Sequence, residues 1–305
     1  DRAVKLVHKV LQKPEPRIFL KVDCDPDGFS SAAVFLQFIL AICPGAKFTW
    51  QLNYHKIHGL EYKNLTEYTK DEFDLIVIPD ASMTVKDARM ITRNYSAPIL
   101  VLDHHLVTVE KEDLETGRWL TDKEAQELLD KDPDRVKFDD YTNYCVAVNC
   151  HDGRYLNPDL SGVGVVQKFL EAYLYEYMQE DGLDDGLLEE FYDLVSFGMI
   201  ADSISALSLE ARYYMLTGMD DEHRRNEFLN ELQDRNEESF KFGRILENTA
   251  WTLAPQVNGV IRYGSEEEQE NLFRAIIGVQ QEVDYQPRRR RKDDPKPPVE
   301  IHSLQ

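Results

Sequence analysis

Ala97-Pro98-Ile99-Leu100-Val101-Leu102-Asp103-His104-His105 is an apolar run that ends in an acid and two imidazoles. The run is too short and too β-branched for a helix, so it reads as a buried strand with a polar triplet at its carboxyl end. Open parallel sheets collect their ligand sites at carboxyl ends, because the loops leaving the strands converge there. Two further stretches have the same form. Arg17 to Val22 runs into Asp23-Cys24-Asp25-Pro26-Asp27-Gly28, and Asp74 to Ile78 runs into Pro79-Asp80. Three predicted strand ends thus deliver Asp23, Asp25, Asp27, Asp80, Asp103, His104 and His105 toward one cleft.

Between these points the chain alternates strand and helix patterns, the mark of an α/β fold. Residues 1 to 13 predict a short helix stopped by Pro14 and Pro16. A helix apolar on most sides follows Gly28 and stops before Pro44-Gly45. Lys47 to Leu52 and Tyr144 to Asn149 predict strands, and Thr84 to Tyr95 a helix. The polar stretch from Glu110 to Asp140 reads as a surface insertion with a helical piece near Asp122 to Asp130. Ser161 opens a long helix to about Gln179, Leu187 to Ala201 a second, apolar one that delivers Asp202. Residues 206 to 280 read as helices on polar loops, with Trp251 to Ile261 irregular. Arg288 to Lys292 is a basic cluster, and the Pro-rich, charged stretch after it has no means of packing.

The chain has 305 residues, 42% of them apolar, enough for a real core. It contains no apolar stretch of about 18 residues and no signal peptide at its start, which excludes a membrane-spanning helix as the organising element. Cys24, Cys43, Cys145 and Cys150 follow no metal-ligand spacing and read as reduced thiols of a cytoplasmic protein. The formal charge of −21 repels phosphate backbones, so binding of nucleic acid requires metal ions or a local positive track. Most of the acid falls in stretches that read as solvated helix faces and loops.

Carboxylate and imidazole donors without thiolates suit Mn²⁺ or Mg²⁺ better than structural zinc. The Asp-rich turn and the lone Asp80 are weak signals singly, since acids also form turns and cap helices. Asp103-His104-His105 is harder to explain by packing. Taken with Asp202, the three strand ends are most economically read as a two-metal site, in which a carboxylate bridges cations roughly 3.5–4 Å apart.

The order Asp-x-Asp-x-Asp-Gly, a lone Asp after an apolar strand, Asp-His-His and then Ala-Asp after a helix resembles the DHH phosphoesterase superfamily. Ser161-Gly162-Val163-Gly164, the run Asp193 to Asp202, and Leu253-Ala254-Pro255-Gln256-Val257-Asn258-Gly259-Val260-Ile261-Arg262-Tyr263-Gly264 are similar to its RecJ branch. The match spans about residues 17 to 280.

The resemblance implies a Rossmann-like parallel sheet flanked by helices, with an additional helical segment and a flexible C-terminal linker. It divides the chain into a catalytic part over 1–205, a helical extension over 206–284 and a basic, Pro-rich linker over 285–305. The family's second, substrate-gripping domain has no counterpart before Gln305. The implied activity is a metal-dependent 5′-to-3′ exonuclease on single-stranded DNA, releasing mononucleotides. The implied partners are the 5′ end of single-stranded DNA and replication or repair proteins, with no membrane. Carried onto this chain, Asp23, Asp25, Asp27, Asp80, His104 and Asp202 would hold two divalent ions, Mn²⁺ or Mg²⁺, with Asp80 as the bridge. His105 would face the scissile phosphate, and Asp103 would orient a histidine. Arg262, Ser161 and Gly162 would touch the phosphate or its neighbours; the plainer alternatives are a surface ion pair for Arg262 and a helix N-cap for Ser161. Gln256 stands where the branch often has Arg. Two other readings stay open: a small-substrate phosphodiesterase for oligoribonucleotides or cyclic dinucleotides, or a pyrophosphatase, which the acidic charge favours slightly and segments 161–164 and 253–264 weigh against, and a non-catalytic replication or repair scaffold, which the filled ligand positions disfavour.

Overall fold

The computed structural model describes residues 2–54, 57–83, 85–105, 145–151, 155–241, 243–285 and 300–303. At its centre lies a five-stranded sheet of β1 (Arg17–Val22), β2 (Lys47–Leu52), β3 (Leu75–Pro79), β4 (Ile99–Asp103) and β5 (Cys145–Asn149), in the order β2-β1-β3-β4-β5. All four pairings are parallel. Helices cover a parallel sheet on both faces, which is why β3 and β4 are unbroken apolar runs buried along their whole length. Side chains alternate between the faces: Ile18, Leu20, Leu75 and Val77 join one core, Phe19, Ile76, Ile78 and Ile99 the other. Because β1 stands between β2 and β3, the chain departs from it in opposite directions. The carboxyl ends of β1 and β3 therefore open onto the crevice where such sheets bind ligands.

The larger core lies under α1 (Arg2–Leu11), α2 (Pro26–Ile42), α4 (Gly162–Asp181) and α5 (Tyr192–Ala201), while α3 (Val85–Asn94) packs on the opposite face. α2 is apolar on nearly every side because α4, α5 and the sheet enclose it. Its start is fixed by Asp25, whose side chain accepts the Gly28 N–H, and by Pro26 in the first turn. α6 (Leu209–Thr217), α7 (Glu227–Asp234), α8 (Ala254–Tyr263) and α9 (Glu266–Ile276) complete the chain's helices of eight residues or more among the described residues. Met215, Leu229, Val257 and Phe273 from these helices join the same core as Val7 and Phe35, so residues 206–276 share one interior with the sheet. No described helix is long and apolar enough to cross a membrane.

Three expectations change. Trp251 to Ile261 is helical: Leu246–Asn248, a π-helical turn over Thr249–Leu253 and α8 follow one another directly. Pro255 in the first turn of α8 has no N–H to give to the ladder, and just ahead of it the Ala254 N–H reaches back to Thr249 O, an i to i−5 bond. Leu187 to Ala201 is a 3₁₀ segment, Asp185–Phe191, followed by α5. The stretch 285–305 is not wholly unpaired, since β6 (Glu282–Tyr285) runs antiparallel to β7 (Glu300–Ser303). The insertion from Glu110 to Asp140, its helical piece and Arg288 to Lys292 lie outside the described residues.

Candidate metal centre

The strand ends meet as expected. Asp23 follows β1, Asp80 follows β3, Asp103 closes β4 and Asp202 caps the end of α5. Ligand atoms of Asp23, Asp25 and Asp80 lie within 4.8 Å of one another, as do those of Asp27, His104 and Asp202, and those of Asp80, His104 and His105. His104 Nε2 lies 3.2 Å from Asp80 Oδ1, 3.7 Å from Asp202 Oδ2 and 4.0 Å from Asp27 Oδ2.

The backbone is bent to present these acids. Asp80 has φ +56°, and Ser203, directly after Asp202, has φ +60°. Left-handed non-glycine residues cost conformational energy, and they persist where the surrounding structure holds them for function. Glycine clears the space above: a Cβ on Gly162 would lie 2.2 Å from Asp80 Oδ1, and one on Gly28 2.6 Å from Asp23 Cβ. Gly162→Ala should therefore push Asp80 out of place. The expected result is Mn²⁺ affinity roughly 10- to 100-fold weaker by calorimetry with the fold retained, the usual cost of disturbing what supports a metal ligand.

Asp27 is held by the start of α4. It accepts from Ser161 Oγ (2.9 Å), Gly162 N (2.6 Å) and Val163 N (3.2 Å). Ser161 also accepts the Gly164 N–H as N-cap. Ser161 is the N-cap and is fully buried. Ser161 and Gly162 thus touch the acid cluster through Asp27. Arg262 is half-buried, with Nε donating to Asn258 Oδ1 (3.3 Å) and Nη1 3.9 Å from Cys24 Sγ beside Asp23. Gln256 points elsewhere, donating to Asn236 Oδ1 (2.9 Å).

Asp103 serves His105. Its Oδ1 lies 2.7 Å from His105 Nδ1 and also accepts the His104 and His105 backbone N–H groups. This bond raises the imidazole of His105 to about 9. Burial works to raise the Asp103 carboxyl, but the bond and charge of His105 outweigh it and hold Asp103 below its ordinary value.

The other acids behave as a crowd. Burial, then the charges of Asp27, Asp25, Asp23 and Asp103, push Asp80 well above the usual carboxylate range. Burial also raises Asp27 and Asp23, and burial with Asp27 and Asp25 raises Asp202 to about 7. Lys21, buried two residues before Asp23, is lowered to about 8 by burial and donates to Gln51 Oε1 (2.8 Å). Such a cluster fits a multivalent cation. Asp80 Oδ1 is buried and accepts no hydrogen bond, although His104 Nε2 stands 3.2 Å away. A carboxylate oxygen and a ring nitrogen that converge without a hydrogen bond between them are disposed as two ligands of one ion. The hard oxygen donors with imidazole suit Mn²⁺ or Mg²⁺.

The structure also brings in residues that sequence reasoning missed. Asn53 and His58, from the loop after β2, both bond to Asp23. A lone histidine and asparagine in a polar loop carry no periodic or motif signal.

No family model matches the chain. Solved structures do: exonuclease RecJ bound to manganese superposes with a TM-score of 0.67 over 90% of this chain and 60% of that one, at 19% identity. RecJ from Thermus thermophilus in complex with Mn²⁺ gives 0.64 over 91% of this chain and 34% of that one, at 20% identity. The chain has the RecJ fold. Among curated sequences, this chain is 28% identical over 273 residues to a protein of Bacillus subtilis strain 168 named as a putative SPbeta prophage-derived single-strand DNA-specific exonuclease, YorK, and equally to its counterpart in Bacillus phage SPbeta. These alignments cover 89% of this chain and 40% of each relative, so the chain spans about two fifths of the length of the curated relatives it matches.

Proposed function

We propose that this chain carries the hydrolytic centre of a metal-dependent exonuclease that degrades single-stranded DNA from the 5′ end to mononucleotides. The observation that carries the reading is the convergence of Asp80 Oδ1 and His104 Nε2, with no hydrogen bond between them, at the mouth of a sheet with the RecJ fold. The names of the curated relatives supply the substrate class.

Asp23, Asp25, Asp27, Asp80, His104 and Asp202 would hold two divalent ions, with Asp80 shared between them. Bound divalent cations supply charge that stabilises both the attacking and the leaving oxygens of phosphoester hydrolysis. His105 keeps its Nδ1 proton on Asp103, which fixes the ring and leaves Nε2 for a phosphate oxygen. Its raised proton affinity keeps it cationic at neutral pH, as an anionic substrate requires. Arg262 would meet the phosphate or a neighbouring one from the other side.

The test is hydrolysis of a 5′-labelled single-stranded DNA oligonucleotide with Mn²⁺, with Mg²⁺ and with chelator, beside the Asp103→Ala/His104→Ala double variant. Metal-dependent release of labelled mononucleotide, lost in the variant, is the expected result. Cleavage confined to dinucleotides would replace the reading with a small-substrate phosphodiesterase.

A further inference from the structure

The loop after β2 reaches the site by a built path. Asn53 is buried, and its Nδ2 donates both to Asp23 Oδ1 (3.1 Å) and to Gly59 O (3.0 Å). Gly59 has φ +78°, and a Cβ there would lie 2.1 Å from Ser82 O, so only glycine fits that contact. The Leu60 N–H closes the clamp on Ser82 O (3.3 Å). Fixed between these anchors, His58 lays its Nδ1 2.6 Å from Asp23 Oδ2. The ring side chain is 49% exposed, whereas that of Asp23 is fully buried.

This pair mirrors Asp103 with His105, where a buried carboxylate also meets a half-exposed ring at 2.7 Å. The direction of service differs. Asp103 belongs to no ligand cluster among the described residues, so there the acid orients the ring; Asp23 clusters with Asp25 and Asp80, and in a second grouping with Cys24 and His58 itself. We infer that His58 is a positioning residue of the metal centre: its Nδ1–H, together with Asn53 Nδ2, turns the Asp23 carboxylate so that its remaining lone pairs face the cation shared with Asp25 and Asp80. An ionised carboxylate can take four hydrogen bonds or ligands, so two donors fix its rotation and leave acceptor capacity for an ion. Outer partners of this kind set ligand orientation and thereby metal affinity. The inference rests on the divalent-metal reading of the site.

Calorimetric titration of Mn²⁺ into wild type, His58→Ala, His58→Asn and His58→Gln tests it, with thermal melts confirming that each variant is folded. Asparagine places its NH₂ near the position of Nδ1, whereas glutamine places it near Nε2. His58→Ala and His58→Gln should bind Mn²⁺ roughly 10- to 100-fold more weakly, and His58→Asn should stay within about threefold of wild type. Unchanged affinity in His58→Ala overturns the assignment, as does an asparagine variant as weak as alanine. Retention by glutamine alone also overturns it, since that would make Nε2 a direct ligand. No Mn²⁺ uptake by wild type overturns both this inference and the metal reading, whereas the nuclease reading is judged separately by the oligonucleotide assay.

Discussion

Asp80→Asn should lower Mn²⁺-dependent hydrolysis by at least about 10³-fold, equivalent to roughly 4 kcal/mol of transition-state stabilisation, while the protein stays folded. Asparagine is chosen for the backbone: residue 80 has φ +56°, a conformation that Asn tolerates far better than Ala. The substitution keeps shape and removes charge at a position 1% exposed that belongs to two of the ligand groupings. In the metal-free protein the carboxylate is a burden, raised by burial and by four neighbouring acids. The variant's melting temperature without metal should therefore equal or exceed that of wild type, and its response to Mn²⁺ should be smaller. Oligonucleotide hydrolysis and paired melts measure both effects. A folded variant that retains activity would remove Asp80 from the bridging position.

The parts of this site that could be read from sequence are those compressed into short motifs at the ends of apolar runs. Asp103-His104-His105 was legible because a buried strand gives it direction, and Asp202 because a wholly apolar helix ends there. The parts that could not be read arise from meetings across the chain. His58 stands 35 residues from Asp23, and nothing local marks it. Ser161 is ambiguous in sequence, since a serine opening a helix serves either substrate or cap; that this helix start also gives three donors to the buried Asp27 carboxylate has no local mark. Trp251 to Ile261 reads as irregular, yet Pro255 lies in the first turn of α8, behind a π-helical turn, where its missing N–H is tolerated. The β6–β7 pair is hidden because charge and proline on either side mask two four-residue strands.

Metal-free protein should lose thermal stability as the pH rises from about 5 to about 8, the reverse of ordinary behaviour for a carboxylate held by cations. The sign follows from proton uptake. Asp202, raised to about 7 by burial and by Asp27 and Asp25, carries in the native state a proton that the unfolded chain releases near its ordinary value. Between those two values the native state binds more protons than the unfolded state, so the stability Asp202 contributes at low pH is lost on the way up. Asp80, Asp27 and Asp23 shift in the same direction. His105 adds to the trend: its folded value of about 9 exceeds the ordinary imidazole value, so its contribution also falls as the pH rises through that interval. Asp103 opposes them, but its stabilisation changes only in acid, as the pH falls through its lowered value. The summed loss should be a few kcal/mol, about 5–10 °C in melting temperature for a chain of this size. Mn²⁺ should reverse it. Its ligands must be deprotonated, so binding strengthens as the apo protein weakens, and the Mn²⁺-induced rise in melting temperature should be larger at pH 8 than at pH 5. Melts with chelator and with excess Mn²⁺ across this range measure both slopes. A metal-free stability that climbs toward pH 8 would mean that the acids are already compensated by cations of the protein itself.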